Sequence, residues 1–134
     1  MLDRHIDVTE AEEVLDLGNC RRIAPILARV GDKWTILIVL TLARGTMRFS
    51  EIKRAIDGIS QRMLTLTLRG LERDGLVMRT VYPTVPPRVE YTLTDVGHSL
   101  CEPVRALGDW VQDHLDTIDK AREEFDARED EDNC

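Results

Sequence analysis

Apolar residues recur at steps of three and four at Ile23, Ile26, Leu27 and Val30, which predicts an amphipathic helix over residues 21–30. Gly31-Asp32 interrupts the pattern. Residues 34–43 are then apolar nearly all round, as expected of the most buried helix of a small domain. Upstream, Thr9-Glu10-Ala11-Glu12 has capping-box spacing and predicts a short helix through Leu17, ended by Gly18-Asn19.

The pattern becomes denser from Arg48 to Tyr91. Arg48-Phe49 reads as a short strand, and Ser50 as the cap of a helix through Ile56 with Ile52, Ala55 and Ile56 turned inward. After a tight Asp57-Gly58 turn, Ser60 is placed to cap a second helix from Gln61 to about Asp74. Gly75 can adopt the left-handed conformation that ends it. At about 100° per residue, Leu64, Leu68 and Leu71 share the core side, flanked by Met63 and Thr67. Residues 76–81 and 89–93 are rich in β-branched side chains and read as two strands. Three prolines stiffen the loop Tyr82-Pro83-Thr84-Val85-Pro86-Pro87-Arg88 between them. Helix, turn, capped helix and hairpin in this order build a winged helix-turn-helix, mainly α with a small β wing.

Past the hairpin, Thr94 caps a long helix with apolar positions at Val96, Leu100, Val104, Leu107, Val111, Leu115 and Ile118. Such a stripe exceeds what a small domain needs to cover itself, so a homodimer built from the N- and C-terminal helices is expected. The last residues, from Arg122, are dominated by Glu and Asp and are expected to fray. The implied organisation is an N-terminal extension over 1–19, a winged helix-turn-helix domain over 20–94, a dimerisation helix over 95–121 and an acidic tail over 122–134.

The second helix of the motif carries the candidate chemistry. Arg62, Thr65, Arg69 and Arg73 lie opposite its core side, and Ser60 and Gln61 stand at the N-terminal end, where recognition helices approach base edges. Gln61, Arg62 and Thr65 suit base edges and Arg69 and Arg73 suit phosphates, because a guanidinium fork grips guanine or phosphate bidentately. Arg79 and Arg88 of the hairpin suit a flanking phosphate or a minor groove.

Charge first argues against double-stranded DNA as the partner, since 18 basic and 25 acidic residues give a net charge of −7. From Arg44 to Glu90, however, nine basic residues meet five acidic ones, leaving +4 there and −11 elsewhere. Counterion release responds to the patch that meets the phosphates, so the acidic total leaves DNA binding open and predicts a strong salt dependence. An alternative from another class is a winged-helix module that binds a protein, which the net charge and acidic tail favour.

Other chemistries find little support. The chain lacks eighteen consecutive apolar residues and a secretory leader, so a cytoplasmic protein without a membrane partner is expected. Three cysteines without metal-type spacing make no disulfide framework, and His5, His98 and His114 are too scattered for a metal site. Trp34 and Trp110 read as core and interface anchors rather than as the lining of a ligand cavity. There is no nucleophile with a neighbouring base and no pair of acids in a recognisable catalytic setting, so neither an enzyme nor a cofactor is expected.

With these elements placed, the chain resembles the HxlR-type branch of MarR-like bacterial transcriptional regulators. The matching pieces are Gly31-Asp32-Lys33-Trp34-Thr35, Arg48-Phe49-Ser50-Glu51-Ile52, Gly58-Ile59-Ser60-Gln61-Arg62-Met63-Leu64-Thr65, Leu71-Glu72-Arg73-Asp74-Gly75-Leu76-Val77, Tyr82-Pro83, Pro86-Pro87-Arg88-Val89-Glu90-Tyr91, Leu93-Thr94 with Gly97, and Trp110. They span Cys20 to Trp110, 91 of 134 residues, and the ordered series is far more specific than any single piece. The resemblance implies a dimeric winged-helix protein that represses or activates nearby genes. Several members of the family respond to electrophiles, oxidants or aldehydes through one N-terminal cysteine.

Cys20 stands where that cysteine resides, although many relatives follow it with proline and this chain has Arg21. A predicted helix N-terminus and the neighbouring Arg21 and Arg22 favour the thiolate, the form that attacks an oxidant, quinone or aldehyde effector. A regulator with a non-covalent effector and an inert Cys20 is the alternative. Cys101 reads as a packing or interface residue, and the acidic surroundings of Cys134 disfavour its thiolate. A bond between Cys20 of one subunit and Cys101 of the other is left open by the sequence.

Overall fold

A computed structural model describes residues 20–133. The helix expected over residues 9–17, together with His5 and Cys134, lies outside them.

Helix α1 (Cys20–Val30) continues through Pro25 and buries none of its residues. Ile26 and Leu27, expected as part of an inward stripe, are more than half exposed. Helix α2 (Lys33–Leu42) starts on Asp32, whose carboxylate accepts from the Trp34 and Thr35 amides at 3.1 and 3.2 Å. As its uniform apolarity predicted, α2 is central, with Ile38, Val39 and Leu42 sealed from solvent.

Strand β1 (Met47–Arg48) passes straight into α3 (Phe49–Ala55). This corrects two expectations. The strand sits one residue earlier than Arg48-Phe49, and the helix is capped at Arg48 rather than Ser50. The physical reason is Glu51, which reaches back to accept from the Arg48 amide at 2.8 Å and starts the helix directly at the strand end. Ala55 faces solvent, because so short a helix buries a narrow stripe; Ile52, Ile56 and Ile59 fill the space under it.

Helix α4 (Gln61–Arg73) follows the predicted range closely. Ser60 Oγ accepts from the Met63 amide at 3.0 Å. At the other end Gly75 takes φ +76°, the Leu76 amide donates to the Leu71 carbonyl at 2.9 Å, and the Gly75 amide donates to the Glu72 carbonyl at 3.1 Å. These paired bonds close the helix over the buried Leu71 and Leu76. Leu64, Leu68 and Leu71 are fully buried as expected, with Thr67 beside them.

Strands β2 (Val77–Tyr82) and β3 (Arg88–Leu93) form the antiparallel hairpin, and β1 joins its far edge to give the order β1-β3-β2. Val77 pairs with Leu93, Tyr82 with Arg88 and Met47 with Tyr91. The loop of prolines stands clear of the sheet, with Val85 fully exposed.

The C-terminal segment departs most from expectation. Thr94 caps only a short α5 (Asp95–Ser99), and the chain turns at Leu100 before α6 (Cys101–Asn133). Pro103 favours the break, since it has no amide to donate to Ser99 and is well accommodated in the first turn of a new helix. Gly97 adds a close approach, because any Cβ there would strike the Leu76 carbonyl oxygen. Val96 is consequently exposed rather than part of a continuous stripe. The residues from Arg122 are helical through Asn133 rather than frayed. They hold no glycine, proline or β-branched residue, and Glu123, Glu124, Glu129 and Glu131 with Arg122, Ala127 and Arg128 are good helix formers, which favours the helix despite the acidic end.

Candidate nucleic-acid interface

Because Leu64, Leu68 and Leu71 commit one side of α4 to the core, its other side must face outward. Gln61, Arg62, Thr65, Arg69 and Arg73 are all exposed there. Ser60 and Thr65 spend one hydrogen bond each on the helix itself: Ser60 Oγ accepts from Met63, and Thr65 Oγ1 donates to the Gln61 carbonyl at 2.9 Å. The Thr65 oxygen keeps lone pairs for an incoming donor. Leu66, about half exposed, sits among the arginines. Sequence reading passed over it, although its position on the polar side was the signal.

Two hollows join this helix to its neighbours, and a third joins α3 to the wing. One of about 560 Å³ lies between α4 and the sheet, lined by Gln61, Thr65, Arg69 and Glu72 with Phe49, Arg79 and Tyr91. A second, of about 500 Å³, brings Ser50, Lys53 and Arg54 of α3 beside Gln61. A third, of about 530 Å³, runs from Arg48 and Ser50 along the hairpin loop from Thr84 to Val89. Phe49 borders all three, so wing, α3 and α4 share one continuous surface. Arg48, Lys53 and Arg54 therefore belong to the basic surface. Their positive charge was visible in the sequence, but their nearness to Gln61 required the fold.

The two hairpin arginines part company. Arg79 reaches the hollow of Arg69 at the foot of α4. Arg88 is held against its own hairpin, with Nε 3.3 Å from Glu90 Oε2 and its guanidinium carbon 4.3 Å from the Tyr82 ring centre. Arg73 lines a separate shallow hollow with Arg69, Gly70 and Glu72.

Cys20 is exposed at the first residue of α1, and Cys101 is buried with Sγ 3.9 Å from the Gly97 carbonyl. The model of the HxlR-like helix-turn-helix family matches residues 29–119. This chain belongs to that family.

Among the relatives of this HxlR-like chain is the uncharacterized HTH-type transcriptional regulator YtfH of Escherichia coli, 43% identical over 99 residues, which are 74% of this chain and 79% of YtfH. The solved structure of the transcriptional regulator YtfH of Salmonella typhimurium superposes with a TM-score of 0.69 at 41% identity, covering 75% of this chain and 89% of the other. The reduced form of the redox regulator HypR superposes with a TM-score of 0.67 at 39% identity, covering 74% and 98%. The HxlR-like chain is thus a helix-turn-helix transcriptional regulator with the winged fold, and its relatives are regulators rather than enzymes. Membership implies DNA as its partner. The family match begins at Arg29, so Cys20 and most of α1 lie before it. Among the described residues, no helix is long and apolar enough to cross a membrane.

Proposed function

We propose that this protein is a sequence-specific regulator that binds double-stranded operator DNA as a homodimer and is switched by modification of Cys20. The observation that carries the DNA reading is the outward side of α4: Gln61, Arg62, Thr65, Arg69 and Arg73 stand together opposite a fully buried leucine row. In this reading α4 enters the major groove, with Ser60, Gln61, Arg62 and Thr65 at base edges and Arg69, Arg73 and Arg79 at phosphates. Arg88, paired with Glu90 and lying over Tyr82, steadies the wing beside the duplex.

The dimer reading rests on apolar surface that the single chain leaves uncovered. Ile26 and Leu27 of α1 and Leu107, Trp110, Val111 and Leu115 of α6 are all exposed. The charges suit mutual packing, since α1 begins with Arg21 and Arg22 and holds no acid, whereas α6 flanks its stripe with Asp109, Asp113 and Asp116.

Exposure at a helix start beside two arginines suits Cys20 to attack by an oxidant, quinone or aldehyde. The likeness to HypR, described as a redox regulator, points the same way. Modification there would press on α1 and change the spacing of the two α4 helices, which a dimer must hold about one DNA turn apart.

The test is a titration of reduced and oxidant-treated protein against DNA from upstream of its own gene, with random competitor at fixed salt. Tight reduced-state binding that the oxidant alters supports the whole reading. Binding indifferent to the oxidant keeps the regulator and removes the switch, leaving a non-covalent effector. If Arg69→Ala and Arg62→Ala leave function intact while Leu107→Asp abolishes it, a protein-binding module replaces the DNA reading.

A further inference from the structure

Helix α1 buries no residue, yet it is tied to the recognition helix at one well-defined point. Arg29, in its last turn, donates from Nε to Asp74 Oδ2 at 3.1 Å across 45 residues of sequence. The same guanidinium lies over Gly70 so closely that a Cβ built on Gly70 would fall among its atoms. Gly70 is buried inside α4, one turn before its C-terminal end, where glycine costs about 1 kcal/mol relative to alanine. A glycine at such a cost in a helix interior calls for a packing reason, and the Arg29 guanidinium supplies one.

We infer that Arg29, seated on Gly70 and latched to Asp74, is a positioning residue for the recognition helix. It sets the angle at which α4 is presented to DNA without touching DNA itself. Asp74 is the C-cap of α4 and Gly70 lies one turn before it, so the guanidinium holds the helix at two points of its last turns. Gln61 and Arg62 stand at the far end, about 12 Å away at 1.5 Å per residue over the eight residues from Arg62 to Gly70. A small tilt at the Arg29 end therefore becomes a larger displacement at the end that reads bases, where a bidentate contact tolerates little error. Arg69 and Arg73 lie nearer the pivot, and phosphate contacts forgive such a shift better.

This inference rests on the DNA-binding reading and deepens it. It predicts an unusual pattern for Gly70→Ala. The added methyl displaces the guanidinium, which can swing aside because it ends a flexible side chain, while alanine improves the helix. Thermal stability should hold or rise, but specific affinity should fall by roughly threefold to tenfold.

The test is a double-mutant cycle with Arg29→Ala, Gly70→Ala and the double variant, using a duplex selected from a random pool. Specific affinity, non-specific affinity and salt slope are measured, with Arg69→Ala as control. The expected result is that each single change weakens specific binding, leaves non-specific binding and salt slope unaltered, and is not worsened by the other. Arg29→Lys should restore little, since an ammonium pairs with Asp74 but presents no plane to Gly70. Additive losses would overturn the inference, because the two residues would then act separately. So would a salt slope reduced by about one in Arg29→Ala, which would make Arg29 a phosphate ligand. Unchanged specific affinity in all three, with Arg69→Ala still impaired, overturns the joint and leaves the DNA reading standing. Failure of Arg69→Ala to weaken binding removes both.

Discussion

The Thr94 hydroxyl donates to the Gly75 carbonyl at 2.6 Å, joining the end of the wing to the end of the recognition helix. The same oxygen accepts from the Gly97 amide at 3.1 Å and so starts α5. The Thr94 amide also donates to the Leu76 carbonyl at 3.0 Å, beside the glycine that lets α5 approach. One residue thus fixes three elements.

Thr94→Val keeps the shape and removes both hydroxyl bonds. It should lower stability by about 1–2 kcal/mol, the combined effect of a lost cap and a carbonyl left to find water. Urea unfolding would show this as a lower midpoint with an unchanged slope. An unaltered midpoint would mean that the junction is held by packing alone.

Arg79 and Arg88 should behave differently despite lying on one hairpin. Arg79→Ala removes a charge from the hollow that also holds Arg69 and should reduce the salt slope of DNA binding by about one. Arg88→Ala instead removes the ion pair to Glu90 and the contact with Tyr82, a loss of roughly 0.5–1 kcal/mol expressed mainly in the hairpin. Affinity measured across a salt series separates them; equal slopes for both variants would contradict the assignment.

Val111→Asp places a charge in the exposed stripe of α6 between Leu107 and Leu115. The winged domain should stay folded, since Val111 is not part of its core, while sedimentation should show a shift toward monomer. A variant with unchanged sedimentation at the same concentration would place the dimer contact elsewhere.

Cys20→Ser should abolish any change in DNA affinity caused by an oxidant or quinone, with stability altered by less than about 0.5 kcal/mol at so exposed a site. Cys101→Ala should do the reverse, lowering stability by about 1 kcal/mol through a small cavity while the response persists. Mass spectrometry of the treated protein identifies the modified residue directly. A response that survives Cys20→Ser would eliminate the switch.

Much of the fold was legible because its signals are local. The leucine row of α4, the Ser60 cap and the Gly75 terminus lie within the segment they organise, and the structure reproduces that helix within a residue. The outward placement of Gln61, Arg62, Thr65, Arg69 and Arg73 follows from the same row, because a helix has only one core side. Pro103 was equally visible and its missing amide favours a break at Leu100, although Pro25 lies within α1 without dividing it. The Ser50 cap failed for a subtler reason: Glu51 serves the amide of Arg48, so the neighbour one turn inward decides where α3 begins.

By itself, then, the sequence determined the order of elements, the buried face of each central helix and the winged helix-turn-helix plan. Those depend on periodicity and on bonds between residues a few positions apart. Tertiary structure alone decided that Arg79 shares a hollow with Arg69, that Lys53 and Arg54 flank Gln61, and that Arg29 rests on Gly70 beside Asp74. Such pairings join residues from separate elements, whose approach is set by how the core packs, and no local pattern encodes that distance.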